Sequence, residues 1–289
     1  MGPIVTPSSP VLPEYADRVA DSLRRSIRHA DSEYVVPFSV PTVMATVSKP
    51  EELEWSDCLV WVAPRFEPDG MSLSVATSVE DVTKHYQWVG SNGKRERYDM
   101  NARLATDWWV IWDTAWTGVS PFTGKRVESQ AFSLHFTDGR GINAEMTSIK
   151  LRAPEGQTHA QRNELLETYF VASREGDVDR LMSLFSPTEY AGSAVRSYFG
   201  DDRPSLVHLD SLEKLRQNYE QFYRAVTVED VVRLNWYVRD WYFFVEAHWH
   251  LRLSDGTRGA MTTAEVMLLG SDGRIAGRMG WGKPFMARP

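Results

Sequence analysis

The sequence predicts an α+β protein built from two tandem copies of one unit, a few helices followed by a curved antiparallel sheet. Three observations carry that expectation. The chain has 289 residues, about twice a common domain length. In each half, apolar residues at helical spacing give way to alternation of period two. One hairpin is nearly repeated: Ser133-Leu-His-Phe-Thr-Asp-Gly-Arg-Gly running on to Ala144-Glu145-Met146 resembles His250-Leu-Arg-Leu-Ser-Asp-Gly-Thr-Arg-Gly running on to Ala264-Glu265-Val266.

Residues 1–12 read as a loose, proline-rich leader, without the apolar segment that export requires. The first domain is expected over 13–151. It opens with a helix from Glu14 to His29, has a second from Val79 to Trp88, and ends in strands at Asp107–Trp116, Arg126–Thr137 and Arg140–Leu151. Pro154 and Gly156 mark a linker at 152–160, and the second domain follows over 161–289. Its first helix, Gln161 to Arg174, sets Leu165, Leu166, Tyr169 and Phe170 at helical spacing before a Gly-Asp stop. A short helix from Val178 to Phe185 comes next, and a third from Ser211 to Val226 carries Leu215, Tyr219 and Phe222 on one side. Two-residue turns at Arg239-Asp240 and Asp255-Gly256 would then set the strand register. Glu246 would face Glu265, His248 would face Thr263, and Arg233 would lie beside Glu246.

Composition excludes several classes. With 42% hydrophobic and 25% charged residues the chain is ordinary globular protein. A net charge of −7 argues against a nucleic-acid partner, whose binders present a basic face. No apolar run approaches the roughly 20 residues that span a bilayer, so no membrane segment is expected. The single cysteine, Cys58, forms no internal disulfide and no cysteine zinc cluster, which favours a cytoplasmic location. Glycine-rich nucleotide loops and a Gly-x-Ser-x-Gly elbow are absent, so no cofactor is expected. Glu246, His248 and His250 share a strand face, but a His-x-His without a third ligand is weak, and no metal is expected.

The run Leu165-Leu-Glu-Thr-Tyr-Phe-Val-Ala-Ser-Arg-Glu-Gly-Asp-Val-Asp-Arg-Leu-Met-Ser-Leu-Phe is a two-helix opening. With the third helix and the strands ending at Gly280-Trp281, it resembles the nuclear-transport-factor-2-like superfamily, in its SnoaL-like branch. The resemblance implies a cone, a curved sheet wrapped round helices and open on a pocket. It also implies that pairs of sheets meet back to back as a homodimer. Members include cofactor-free isomerases, dehydratases, cyclases, epoxide hydrolases and lyases, and domains that only bind or scaffold. The size and the 11 tryptophans are similar to the superfamily's lyases that strip formaldehyde from lignin-derived diaryl diols. That resemblance implies a small aromatic alcohol as substrate.

The inner faces of the two sheets suggest where the site lies. In the second half Trp236, Phe243, Trp249, Val266 and Leu268 would plug the cone. In the first, pairing about Asp138-Gly139 would set Ser129, Ala131, Ser133 and His135 against Ala144, Met146, Ser148 and Lys150, small or polar residues that leave a hollow. Lys150, desolvated there, suits acid–base work, although a strand-end lysine also snorkels to water. Asp113 comes within its reach if the odd-numbered face of its strand is inward, and His135 shares the role. Trp109 and Trp112 form an aromatic wall, or else core and dimer interface. Ser133, Tyr34, His85, Tyr86 and Tyr98 would complete the pocket. A rival constellation, Arg233, Glu246, Glu265 and His248, would lie across the second sheet away from the helices, as a structural network or a second site. The expected function is a cofactor-independent lyase. The alternatives are an isomerase, cyclase or epoxide hydrolase, or a non-catalytic binding or scaffold protein.

Overall fold

A computed structural model describes residues 60–67, 70–76, 94–106, 108–119, 124–137, 142–150, 154–197, 205–283 and 286–287. The expected helices Glu14–His29 and Val79–Trp88, and with them Tyr34, His85 and Tyr86, lie outside the described residues. The chain divides into two compact units, one formed by Met1–Ala63 and Val75–Leu151, the other by Pro64–Ser74 and Arg152–Pro289.

The first sheet comprises β1 (Val60–Glu67), β2 (Gly70–Ala76), β3 (Lys94–Ala105), β4 (Trp109–Val119), β5 (Arg126–Thr137) and β6 (Ile142–Ile149), ordered β2-β1-β6-β5-β4-β3. The second comprises β7 (Gly192–Ser197), β8 (Ser205–Leu209), β9 (Val226–Val238), β10 (Tyr242–Leu253), β11 (Arg258–Leu269) and β12 (Ile275–Gly282), ordered β8-β7-β12-β11-β10-β9, with β13 (Met286–Ala287) against β11. The two orders are the same once each strand is matched to its counterpart. Each sheet also joins its two halves by one parallel pair, β1 with β6 and β7 with β12. This α+β architecture, a four-strand antiparallel meander closed by an earlier hairpin, is a duplication visible in topology. Pairs such as β10–β11 and β3–β4 are antiparallel, as expected, and the parallel pair is an addition to that plan.

Helices α1 (His159–Glu175), α2 (Val178–Ser183) and α3 (Leu212–Ala225) belong to the second unit. Local chemistry sets their ends. Thr158 caps α1 in a capping box, its Oγ1 accepting from the Gln161 amide at 3.2 Å while Gln161 Oε1 accepts from the Thr158 amide at 2.8 Å. Gly176, at φ +67°, closes the same helix in the left-handed conformation that glycine adopts without strain. Asp177 and Ser211 cap α2 and α3. Leu166, Tyr169, Phe170, Leu181, Leu215 and Tyr219 are thereby laid onto one sheet face, against Phe243, Val245, Ala247, Trp249 and Leu251 of β10 and Met261, Met267 and Leu269 of β11.

The register of that sheet differs from the expected one. Between the bonded pair Leu253 and Thr257, whose amide and carbonyl lie 2.8 Å apart, the loop joining β10 to β11 holds three residues, Ser254, Asp255 and Gly256, with Gly256 at φ +87°. This three-residue loop replaces the two-residue turn and shifts the pairing by one. Glu265 therefore faces Val245, Glu246 faces Ala264, and His248 faces Thr262. A one-residue shift moves every side chain of a strand to the other face. Glu265 thus joins the helix face, and Ala264, Val266 and Leu268 leave it. A β-bulge in β9 sets Arg233 opposite Ala247, also on the helix face, where it pairs with Glu167 at 2.5 Å. The expected row of Arg233, Glu246 and Glu265 is consequently split between two faces. Glu246, on the other side, accepts from Asn235 Nδ2 at 2.6 Å, and His248 Nδ1 bonds Thr262 Oγ1 at 2.9 Å. Among the described residues, no helix is long and apolar enough to cross a membrane.

Candidate active site

A cavity of about 640 Å³ opens between the helices and the sheet of the second unit. The expectation that bulky rings plug this cone is corrected by the register. Met261, Thr263 and Glu265 reach inward from β11 in place of Ala264, Val266 and Leu268, and Gly280 of β12, opposite Glu265, has no side chain to fill the space. The exposed residues Gln221, Ala225, Ser254 and Asp255 mark the rim, and the buried Tyr169, Ser173 and Glu265 mark the depth. Val195, Leu209, Phe222, Trp249 and Leu251 make the walls largely apolar, and Trp249 Nε1 is tied to Thr263 Oγ1 at 2.9 Å.

At the deep end lies one ion pair. Arg278 Nε donates to Glu265 Oε2 at 2.7 Å, and Arg278 Nη1 donates to the Tyr219 hydroxyl at 3.2 Å. The carboxylate side chain is 3% exposed and the guanidinium side chain 13%. The rings of Tyr169 and Tyr219 lie 5.8 and 6.0 Å from the guanidinium carbon, within cation–π range. Gly280 makes room for the arrangement, since a Cβ there would stand 2.9 Å from Glu265 Cγ.

Burial dominates the electrostatics. It pushes the Tyr169 hydroxyl well above its ordinary value and raises Tyr219 and Tyr223 as well, with Arg278 pulling each partly back. All three phenols are therefore protonated hydrogen-bond donors at neutral pH. Burial alone would lower Arg278, but Glu265 and the Tyr169 and Tyr219 hydroxyls raise it well above the usual arginine value. A permanent cation thus stands in a mostly apolar pocket, neutralised by one carboxylate and flanked by phenolic hydroxyls. Such a set holds an oxygen that gains negative charge and supplies a carboxylate to take a proton.

The residues expected to form the site in the first unit fall on two faces of its sheet. Trp109 and Asp113 sit opposite Phe136 and Phe132, on a face where Ile111, Leu134, Ala144 and Met146 are also buried. There Asp113 accepts from Asn101 Nδ2 at 2.8 Å. His135 and Ser133 belong to the opposite face, paired by register with Val110 and Trp112 of β4 and with Glu145 and Thr147 of β6. Tyr98 holds a register position on that face, opposite Trp116. The β5–β6 pairing sets Ser133 against Thr147 and not against an even-numbered residue, so the expected grouping of Ser133 and His135 with Ser148 and Lys150 does not form. Ser133 Oγ lies 3.2 Å from Thr147 Oγ1. His135 is 1% exposed, and burial pushes its imidazole down to about 3, so the ring is neutral at physiological pH. Lys150 is half-buried just beyond β6, its amide bonded to Gln130 O at 2.7 Å.

The expected register puts Glu265 on the other face, and residue types alone do not single out Arg278, Tyr169 and Tyr219. One signal was present: Gly277-Arg278-Met279-Gly280, an arginine in a strand beside glycines that leave its face open. Among the described residues, no group of three or more His, Cys, Asp or Glu side chains is placed to hold a metal ion.

No family model matches the chain, and no curated protein matches it. Solved structures do. The epoxide hydrolase/cyclase-like enzyme SalBIII, from pyran ring formation in the polyether salinomycin, is 18% identical over 43% of this chain and 92% of its own, with a TM-score of 0.33. A putative isomerase from Bacillus subtilis is 12% identical over 44% of this chain and 91% of its own, at 0.36. An epoxide hydrolase from M. tuberculosis of the LEH-like kind is 13% identical over 43% and 84%, at 0.33. These are likenesses of fold and assign no chemistry to this chain.

Proposed function

We propose that the chain is a cofactor-independent enzyme and that its second unit binds a small, largely aromatic, oxygenated molecule and moves a proton on it. The observation behind this reading is the Glu265–Arg278 pair, 2.7 Å apart at the deep end of a cavity of about 640 Å³. That volume lies in the ordinary range for small-molecule sites. Phe222, Tyr219, Tyr223 and Trp249 offer ring faces and edges to an aromatic body. Glu265 takes the proton, from a hydroxyl or an activated C–H. The Arg278 guanidinium and the Tyr169 hydroxyl face the substrate oxygen on which charge develops, and the closed depth of the cone keeps bulk water away. When the proton comes from carbon, the C–H electron pair either forms a new double bond as a neighbouring hydroxyl leaves as water, carrying the proton that Glu265 took, or is held on the substrate oxygen until Glu265 returns the proton to another carbon. The reaction class is therefore a lyase or an isomerase. The formaldehyde-releasing reaction on lignin-derived diols is one member of that class, and nothing in the site singles it out.

The test is an absorbance screen of aromatic alcohols, diols and ketones for a conjugated product, run with the full-length wild type and with Glu265→Gln. General acid–base groups contribute about 10²–10⁴-fold, so Glu265→Gln is expected to lose turnover by that factor while keeping its fold. Full turnover in Glu265→Gln would remove the proposed base. Wild type inert across the panel, yet binding its members, would favour a ligand-binding protein.

A further inference from the structure

The hydrogen-bonding capacity left over at the ion pair says what kind of group the cavity receives. A guanidinium carries five N–H donors in one plane. Arg278 uses Nε on Glu265 Oε2 and Nη1 on the Tyr219 hydroxyl. The pair is monodentate, in contrast to the two parallel bonds that arginine and carboxylate often share. Among the described residues, Arg278 Nη2 and Glu265 Oε1 therefore have no hydrogen-bond partner. Neither atom is among the sealed, unpartnered polar atoms of the described residues, so each retains accessible surface. Both residues line the cavity. Both Nη2 hydrogens, one Nη1 hydrogen and Glu265 Oε1 thus remain open to a ligand.

We propose, building on the reading that this cavity is the site, that its ligand is a neutral aromatic hydroxy-ketone. The ligand hydroxyl donates to Glu265 Oε1, and its carbonyl oxygen accepts from Arg278 Nη2. With Nε and Oε2 2.7 Å apart and each planar head spanning roughly 2.2 Å, Nη2 and Oε1 stand on the order of 4–7 Å from one another. Two ligand oxygens on neighbouring carbons, each at a hydrogen-bond distance of about 2.8 Å, bridge that gap. A plain ketone would set its oxygen lone pairs against Oε1, and a plain diol, although its hydroxyl oxygen accepts from Nη2, puts a second hydroxyl proton beside the cationic N–H donors, where it is repelled. Either leaves a desolvated group unmet, which costs about tenfold or more in affinity. Charge selects neutrality. Glu265 and Arg278 cancel, so an anionic ligand would bring an uncompensated charge into an apolar cavity. At the rim Asp255, held below the ordinary carboxylate range by hydrogen bonds from Thr257, adds a second negative charge to repel it.

Isothermal titration of the full-length protein decides the matter, with benzoin as the hydroxy-ketone probe. Deoxybenzoin lacks the hydroxyl, hydrobenzoin lacks the carbonyl, benzilate adds an anionic carboxylate, and stilbene keeps only the rings. Benzoin is expected to bind at least about tenfold more tightly than each of the other four. Arg278→Met is expected to abolish the difference between benzoin and hydrobenzoin, and if that variant fails to fold, the wild-type ratios still decide. Equal binding of benzoin and deoxybenzoin, or tighter binding of benzilate, would overturn the hydroxy-ketone assignment and leave the cavity as the site. Binding of none of the probes, stilbene included, would overturn the assignment together with the reading of the cavity on which it rests.

Discussion

Removing one member of the Glu265–Arg278 pair is costlier than the pair's net value, because the survivor is left charged and desolvated. Glu265→Ala strands Arg278, whose side chain is 13% exposed, and is expected to destabilise the fold by about 3–5 kcal/mol in urea unfolding. Glu265→Gln still leaves the Arg278 charge uncompensated but keeps an acceptor for Nε, and should cost less than Glu265→Ala. Two pH dependences follow from burial. His135 is held down at about 3, so the unfolded chain binds its proton first as pH falls below about 6.5. Stability from this residue is complete above that pH and declines toward pH 3, at up to about 1.4 kcal/mol per pH unit, and His135→Gln should flatten that part of the profile. The tyrosines act at the other end. Tyr190 is pushed up to about 12, chiefly by burial, and Tyr169 and Tyr219 are raised too. The unfolded chain ionises near pH 10 while the folded one keeps its phenolic protons, so stability falls as pH rises from 10 toward 12. Tyrosinate absorbance in the native protein should lag behind that of the unfolded chain over the same interval.

At the scale of the element, the helices α1 to α3 are legible in the sequence because their signals are local: Thr158, Asp177 and Ser211 as caps, and Gly176 as a stop. The strands β5, β10 and β11 are legible as alternation, and β5 runs from Arg126 to Thr137 as the pattern predicts. Their faces are not, because a face depends on the count of residues in a turn. Ser254-Asp255-Gly256 contains the Asp-Gly of a two-residue turn and also the glycine that a three-residue loop requires at positive φ. Only packing decides between them, and it decides by burying Met261 and Met267 with the helices. Gly256→Ala, at φ +87°, is expected to cost about 1 kcal/mol from backbone strain alone, since nothing stands within 4 Å of the added methyl. Gly280→Ala acts differently. Its methyl would meet Glu265 Cγ at 2.9 Å, pushing the carboxylate off Arg278, so catalysis and ligand binding should fall more than stability does. Comparing the urea midpoint with the benzoin affinity separates those effects.

Across the whole molecule, duplication is the feature best read from sequence, and the equal strand orders of the two sheets display it. The same likeness misleads about function. Two sheets of one topology differ in what their inward residues do, and that difference lies in long-range pairing rather than in any local motif. In the first unit a face of Trp109, Ile111, Phe132, Leu134 and Phe136 is packed, although small residues alternate with them along β5. In the second, a glycine opposite a glutamate and a three-residue loop keep a cone open around a charge pair. The proposed chemistry therefore lies in the carboxy-terminal unit, whereas residue types alone favour the amino-terminal one. The most direct test is kcat on a single turned-over substrate for Glu265→Gln and Lys150→Met side by side. With Glu265 as the base, Glu265→Gln is expected to lose about 10²–10⁴-fold and Lys150→Met to keep wild-type turnover. The reverse pattern, with Lys150→Met inactive and Glu265→Gln unimpaired, would contradict that assignment.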